Sequence, residues 1–134
     1  MSKTTLYKAG SIAFILLGIL HLLAALTGVP NDPQAVQLMT AMQNYKINLF
    51  GQHDLFTFHT GFSLMMGFLL SAFGMQNLVL AEAIAKNLKA QWTTLMITMI
   101  ALVISLIYFH LLADAFIFFS LVCYMLPLRK GSKK

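Results

Sequence analysis

The side chains that could do chemistry are two histidines inside long apolar runs, His21 and His59. Residues three or four apart share one face of a helix, and small residues on such a face let helices approach closely in lipid. Both imidazoles are therefore predicted to face protein at one depth, about 10 Å from the helix ends. His21 shares its row with Gly18, Ala25 and Gly28, and His59 shares its row with Ser63, Gly67 and Ser71.

A facing pair of imidazoles has three interpretations. The pair could hydrogen-bond between helices, which is the commonest role of polar residues in membrane bundles and needs no cofactor. It could ligate a metal ion or the two faces of a haem. It could also line a polar pocket for a quinone, a lipid headgroup or another small ligand.

Other polar residues are candidates for the same site. Ser105 and Tyr108 are predicted to reach a similar level from a third helix, so they join the two histidines as candidate cofactor-binding residues. Two histidines do not complete a zinc site. His53 and Asp54 are therefore the further candidate metal ligands beside His21 and His59.

The composition favours a membrane protein over a soluble one. Apolar residues make up 59% of the chain and charged residues 10%, against about a quarter charged in soluble domains. The basic residues flank apolar segments, as in contacts with lipid headgroups, so nucleic acid is not an expected partner. The single Cys123 allows no disulfide within the chain. No phosphate-binding loop, nucleophile elbow or metalloprotease motif occurs, so no catalytic residue is predicted and the sequence favours a non-enzyme.

The apolar runs predict an all-α membrane protein, with four transmembrane helices in an antiparallel bundle that forms one domain over residues 1–134. The apolar stretch 92–128 would be about 55 Å long as one helix, against a bilayer core of about 30 Å. We therefore divide it at the polar stretch 110–114, with Asp114 as the N-cap of the last helix. Asp54 is the predicted N-cap of the second helix. The expected helices are 9–28, 54–80, 92–110 and 115–128, and residues 34–45 form an outer amphipathic segment.

The distribution of charge predicts the orientation. With four spans, the two tails and the connection 81–91 lie on one side, which holds eight of the nine Lys and Arg residues; Lys46 alone lies on the other. The positive-inside rule places that side, with both termini, in the cytoplasm. The basic start before an apolar run is also typical of a signal peptide, but no small-x-small cleavage site follows, so the first helix is interpreted as retained.

Several short motifs occur along the chain: Gly18-Ile19-Leu20-His21, a following proline, Met42, Tyr45, Gly51 and Phe58-His59-Thr60-Gly61-Phe62-Ser63-Leu64. Together they resemble a family of small four-helix bacterial integral membrane proteins of uncharacterised function. The resemblance implies a multi-pass protein of the bacterial cytoplasmic (inner) membrane. It implies no activity, cofactor or catalytic residue.

These observations lead to two functional expectations. The first is a small, non-catalytic membrane protein that acts as an accessory subunit of a larger membrane assembly, with the bilayer and other membrane subunits as its partners. The alternative is a redox or ligand-binding membrane protein whose site is formed by His21 and His59 in the outer half of the bundle.

Overall fold

The computed structural model describes residues 1–28, 31–48 and 51–129, so residues 130–134 of the basic tail predicted at 129–134 lie outside the described residues. Helices dominate the described chain, with one small two-stranded sheet. The elements are α1 (Lys3–Thr27), α2 (Pro33–Asn44), β1 (Lys46–Asn48), β2 (Gln52–Asp54), α3 (Leu55–Val79), α4 (Ala81–Lys86), α5 (Leu88–Tyr108) and α6 (Leu111–Arg129).

Four of these helices, α1, α3, α5 and α6, are long and apolar enough to cross a membrane. The shortest qualifying stretch has 18 residues, about 27 Å at 1.5 Å per residue, close to the thickness of a bilayer core. The prediction of four apolar helices of spanning length is confirmed. The connection between α3 and α5, predicted only as polar, contains the short helix α4.

Side-chain caps explain where the helices begin. The carboxylate of Asp54 accepts a hydrogen bond from the Thr57 backbone N–H at 2.7 Å, which confirms Asp54 as the N-cap of α3. Ser2 caps α1 in the same way. Asn87 accepts from two backbone N–H groups and caps α5. Because a cap satisfies otherwise orphaned N–H groups, α1 and α5 begin earlier than the apolar runs indicated, at Lys3 and Leu88.

The division between α5 and α6 lies slightly earlier than predicted. Phe109 adopts an extended backbone conformation (φ −117°, ψ −176°) that ends α5, and α6 begins at Leu111. Asp114 is therefore not the N-cap, and that prediction is wrong. It lies in the first turn of α6, and its carboxylate accepts a hydrogen bond from the Ser105 hydroxyl across the break.

The segment between α1 and α3 contains an amphipathic helix and a hairpin. Helix α2 occupies the predicted amphipathic segment and has no buried residue. The sequence did not predict the strands β1 and β2, which pair antiparallel with Ile47 opposite His53. Gly51, which lies between the two strands, has φ +144°, a conformation that side-chain-bearing residues rarely adopt.

Helix α1 packs against α3, α4 and α6 and forms the centre of the fold. It contacts α3 through glycines: a Cβ on Gly18 would lie 2.6 Å from the carbonyl oxygen of Gly67 and 2.6 Å from the backbone nitrogen of Ser71. A Cβ on Gly74 would lie 2.7 Å from the carbonyl oxygen of Ser11. Gly18, Gly67 and Ser71, small residues from the rows of both histidines, thus form a helix–helix contact, as predicted.

A buried polar cluster joins α1 to α6 at the end where the chain begins. The rings of Tyr7 and Tyr124 stack with centroids 5.3 Å apart. The Ser11 hydroxyl donates to the Tyr7 carbonyl at 2.6 Å and lies 3.2 Å from the Tyr124 hydroxyl. The Ser120 hydroxyl donates to the Gly10 carbonyl at 2.9 Å. These hydrogen bonds between helices fix α6 beside α1.

Candidate functional site: a cavity beside His21

A cavity of about 230 Å³ lies between α1, α3, α5 and α6. Its lining is mainly apolar, and exposed residues such as Leu20 and Leu112 belong to it, so it reaches the protein surface. Predominantly apolar cavities with a few placed polar groups are the usual form of small-molecule sites. The lining residues that matter here are His21, Met66, Leu70, Ser105, Phe109 and His110.

His21 contributes a polar side chain to the lining of the cavity. Its Nε2 atom is buried and has no hydrogen-bond partner in the described part of the chain. The imidazole packs edge-on against Phe109, with ring centroids 6.4 Å apart. A buried polar atom without a partner destabilises a protein by about 1–3 kcal/mol. A ligand with a complementary polar group would remove that penalty.

Ser105 lines the same cavity but its hydroxyl is already in use. It is 1% exposed, and its Oγ donates to Asp114 Oδ1 at 2.6 Å. A short hydrogen bond to a carboxylate is among the stronger kinds in proteins. Ser105 therefore anchors the start of α6 beside α5, and its hydroxyl is not free for a ligand, whereas the buried Nε2 of His21 has no partner among the described residues.

The other two candidate cofactor-binding residues lie elsewhere. His59 is exposed and does not line the cavity. The Met66 side chain, which does line it, lies seven residues further along α3, roughly 10 Å by helical rise. The expectation that His21 and His59 face each other at one depth is therefore wrong. Tyr108, three positions after the buried Ser105 on α5, is 77% exposed.

The candidate metal ligands are likewise not assembled. His53 is exposed on β2. Asp54 caps α3, and its carboxylate accepts a hydrogen bond from the Thr57 backbone N–H. This hydrogen bond is the main reason that the pKa of the Asp54 carboxyl is lowered from its ordinary value. Within residues 1–28, 31–48 and 51–129, no three His, Cys, Asp or Glu side chains are grouped as a metal ion requires.

Two residues of the cavity were missed by the sequence analysis. Phe109 and His110 both line it, and neither was among the candidate site residues. The helix ends at Tyr108, and the extended residue after it changes the direction of the chain. The polar interruption near residue 110 was the available signal, but it does not specify the new direction.

No family model, curated protein or solved structure matches the chain. The class of protein is therefore described from the fold and the cavity. In its described residues it is a small helical protein with four helices of membrane-spanning length and a mainly apolar cavity, whose lining residue His21 has a buried imidazole nitrogen without a hydrogen-bond partner.

Proposed function

We propose that the chain is a multi-pass protein of the bacterial inner membrane, with both termini in the cytoplasm, and that it binds a small apolar molecule at His21. The observation that carries the binding role is the buried Nε2 atom without a partner in the lining of the cavity. Polar groups inside membrane bundles are costly and commonly mark functional sites.

The surface of the helices supports the membrane location. Large apolar side chains are exposed along all four long helices, among them Leu16, Phe68, Ile100 and Phe118. A soluble protein rarely exposes contiguous apolar patches of this kind, whereas lipid is a suitable solvent for them. The glycine contacts support an antiparallel arrangement, because Gly18 meets Gly67 while the earlier residue Ser11 meets the later residue Gly74.

The orientation can be tested by labelling single cysteines. In a Cys123→Ala background, we expect Gln37→Cys to react with a membrane-impermeant maleimide in intact bacteria and Glu82→Cys to react only after lysis. Both positions are exposed, so burial does not confound the comparison. The reverse pattern would contradict the orientation, and reaction of both positions in intact cells would contradict the membrane location.

The cavity limits the kind of ligand. Its volume of about 230 Å³ equals that of roughly eight water molecules at about 30 Å³ each. A single substituted ring matches this volume. Nε2 of a neutral imidazole either donates or accepts, according to the tautomer. A quinone-type ring, whose carbonyl accepts from Nε2–H, therefore matches both the lining and its free polar atom.

The second test uses duroquinone as the probe and His21→Leu as the variant. We expect duroquinone binding to the purified chain in micelles, measured by equilibrium dialysis, to weaken roughly two- to tenfold, the effect of one net hydrogen bond. The unfolding free energy of the ligand-free variant should be unchanged or higher, because the substitution removes an unpaired buried nitrogen. This opposition between binding and stability distinguishes a ligand site from a structural one.

The matched control is His59→Leu, the same substitution at a histidine outside the cavity. It should leave duroquinone binding as in the wild type. If His21→Leu lowers stability instead, the imidazole serves helix packing and the binding role is wrong. A wild-type chain that binds no more duroquinone than empty micelles would contradict the quinone-type ligand.

The exposed His59 favours a second candidate function, that of an accessory subunit. It lies in the first turn and a half of α3, beside the exposed Phe58 and Phe62. Gly61 on the same stretch has open space where a Cβ would be. In this role, a neighbouring subunit covers the surface formed by the histidine, the two aromatic rings and the glycine. Native mass spectrometry of the purified chain separates the two functions, because a bound polypeptide and a bound ring compound differ greatly in mass.

A further inference from the structure

A second cavity, of about 420 Å³, lies at the end of the molecule where α1 begins and α6 ends. Its polar lining contrasts with the cavity at His21. Among the described residues, its lining has two basic side chains, a buried amide and an aromatic ring, and no carboxylate. The residues in the argument are Lys3, Lys86, Gln91 and Trp92, with Leu88 and Leu128 as its apolar part.

The two lysines come from separate elements, at the start of α1 and the end of α4. They are 83 positions apart in the sequence, and the fold brings both to one cavity. Paired ammonium groups beside one cavity attract an anion. Basic pockets between helices on the cytoplasmic side are typical sites for the headgroups of anionic lipids.

Gln91 sets a second, independent requirement for the chemistry of a ligand in this cavity. Its side chain is 3% exposed, and its Nε2 donates to the Ala85 carbonyl at 2.8 Å. A carbonyl cannot donate, so this hydrogen bond fixes which end of the amide is the oxygen. The oxygen, Oε1, is buried and has no partner among the described residues. An occupant that satisfies this cavity must therefore carry a hydrogen-bond donor as well as a negative charge.

We infer that the cavity binds the headgroup of an anionic phospholipid whose phosphodiester bears a hydroxylated group, such as phosphatidylglycerol. The phosphate pairs with Lys3 and Lys86, and a headgroup hydroxyl donates to Gln91 Oε1. Trp92, which is 51% exposed, lies at the rim of the cavity, where indole rings favour the lipid–water interface. An ethanolamine headgroup fits less well, because its ammonium would be repelled by both lysines. The inference rests on the proposed membrane location.

The test places the full chain in nanodiscs that contain equal parts of phosphatidylcholine, phosphatidylglycerol and phosphatidylmethanol. The last two lipids have the same charged phosphodiester, but only phosphatidylglycerol has hydroxyl groups. Native mass spectrometry then identifies the lipids that remain bound after release. We expect the wild-type chain to retain phosphatidylglycerol over phosphatidylmethanol by roughly two- to tenfold. Equal retention of these two lipids would overturn the role of Gln91 without any substitution.

Variants separate the two parts of the site. We expect Lys3→Gln and Lys86→Gln each to lower the preference for phosphatidylglycerol over phosphatidylcholine by roughly fivefold, the effect of one lysine near an anionic surface. We expect Gln91→Met to remove the preference for phosphatidylglycerol over phosphatidylmethanol and to keep the preference for both over phosphatidylcholine.

Lys89→Gln is the matched control, because Lys89 is a nearby lysine that does not line the cavity. An equal loss in Lys89→Gln and Lys86→Gln would show diffuse attraction by surface charge and overturn the site. Displacement of phosphatidylglycerol by millimolar inorganic phosphate would show a free-anion site and overturn the lipid assignment. Failure of the chain to enter nanodiscs would instead contradict the membrane location, so the two failures are distinguishable.

Discussion

Gly18→Ala is expected to lower the free energy of unfolding by about 2–3 kcal/mol, at the upper end of the range for overpacked sites. The added Cβ would collide with the Ser71 hydroxyl and lie 2.6 Å from two backbone atoms of α3, the Gly67 carbonyl oxygen and the Ser71 nitrogen. A side chain can rotate away from such a collision, but helical backbone cannot. The variant must therefore move α1 away from α3 and lose the packing around the contact.

Reversible unfolding in mixed micelles would measure this change. The control is Gly61→Ala, because, apart from its chain neighbours and the adjacent backbone of α3, no atom of the described residues lies within 4 Å of the Cβ that it would add. Alanine also favours a helix over glycine by up to about 1 kcal/mol, so the control should be neutral or slightly stabilising. If both variants have the same stability, the close approach of α1 and α3 at Gly18 is wrong.

The rows of small residues were the most informative part of the sequence. Gly18 and Gly67 were predicted to face a neighbouring helix from spacing alone, and the structure brings these two glycines together. Periodicity identifies the buried face of a helix, because residues three or four positions apart lie on the same face and pack against the same neighbouring helix. On α5, four small or polar residues that lie three or four positions apart are likewise buried or half-buried: Thr94, Thr98, Ala101 and Ser105.

Periodicity is least reliable at the ends of a helix, and the candidate site lies near such ends. His59 and Tyr108 continue their rows in sequence but are exposed. Their depth was counted from predicted helix ends, whereas the glycine contacts fix the actual offset between α1 and α3. The sequence indicates which face packs, but it does not specify how far one helix slides along another.

The buried amides were also outside the reach of the sequence analysis. Gln91 was assigned to a polar connection, but the Asn87 cap starts α5 early and turns Gln91 towards Ala85. Asn77 is buried near the Tyr7–Tyr124 cluster, and its Nδ2 lacks a partner in the described chain. A single polar residue in a helix has no pattern that shows whether it faces water or protein.

Tyr124→Ala is expected to cause the largest loss of stability, about 3–5 kcal/mol, as for other buried aromatic residues replaced by alanine. The side chain is 0% exposed. Its ring stacks on Tyr7, and it fills the space that the missing side chain of Gly10 leaves open. Removal of the ring leaves a cavity between α1 and α6 that small neighbouring residues cannot close.

Tyr124→Phe distinguishes the packing of the ring from its hydrogen bond. This variant loses the contact with the Ser11 hydroxyl at 3.2 Å and a polar contact with the Asn77 side chain, and Ser11 keeps its hydrogen bond to the Tyr7 carbonyl. The expected loss is therefore only about 0.6–1.2 kcal/mol, since such bonds average about 0.6 kcal/mol each in a membrane bundle. Tyr108→Ala, the same truncation at a side chain that is 77% exposed, should change stability by less than about 0.5 kcal/mol.

The order of these three variants tests how α6 is held. Unfolding in mixed micelles should give a large effect for Tyr124→Ala and small effects for the other two. If Tyr124→Phe were as damaging as Tyr124→Ala, the hydroxyl network would hold α6, and ring packing would be secondary. Because the Ser11 hydroxyl already has a second partner, the structure favours the ring. This packing positions the C-terminal end of α6, where Leu128 lines the cavity assigned to the lipid headgroup.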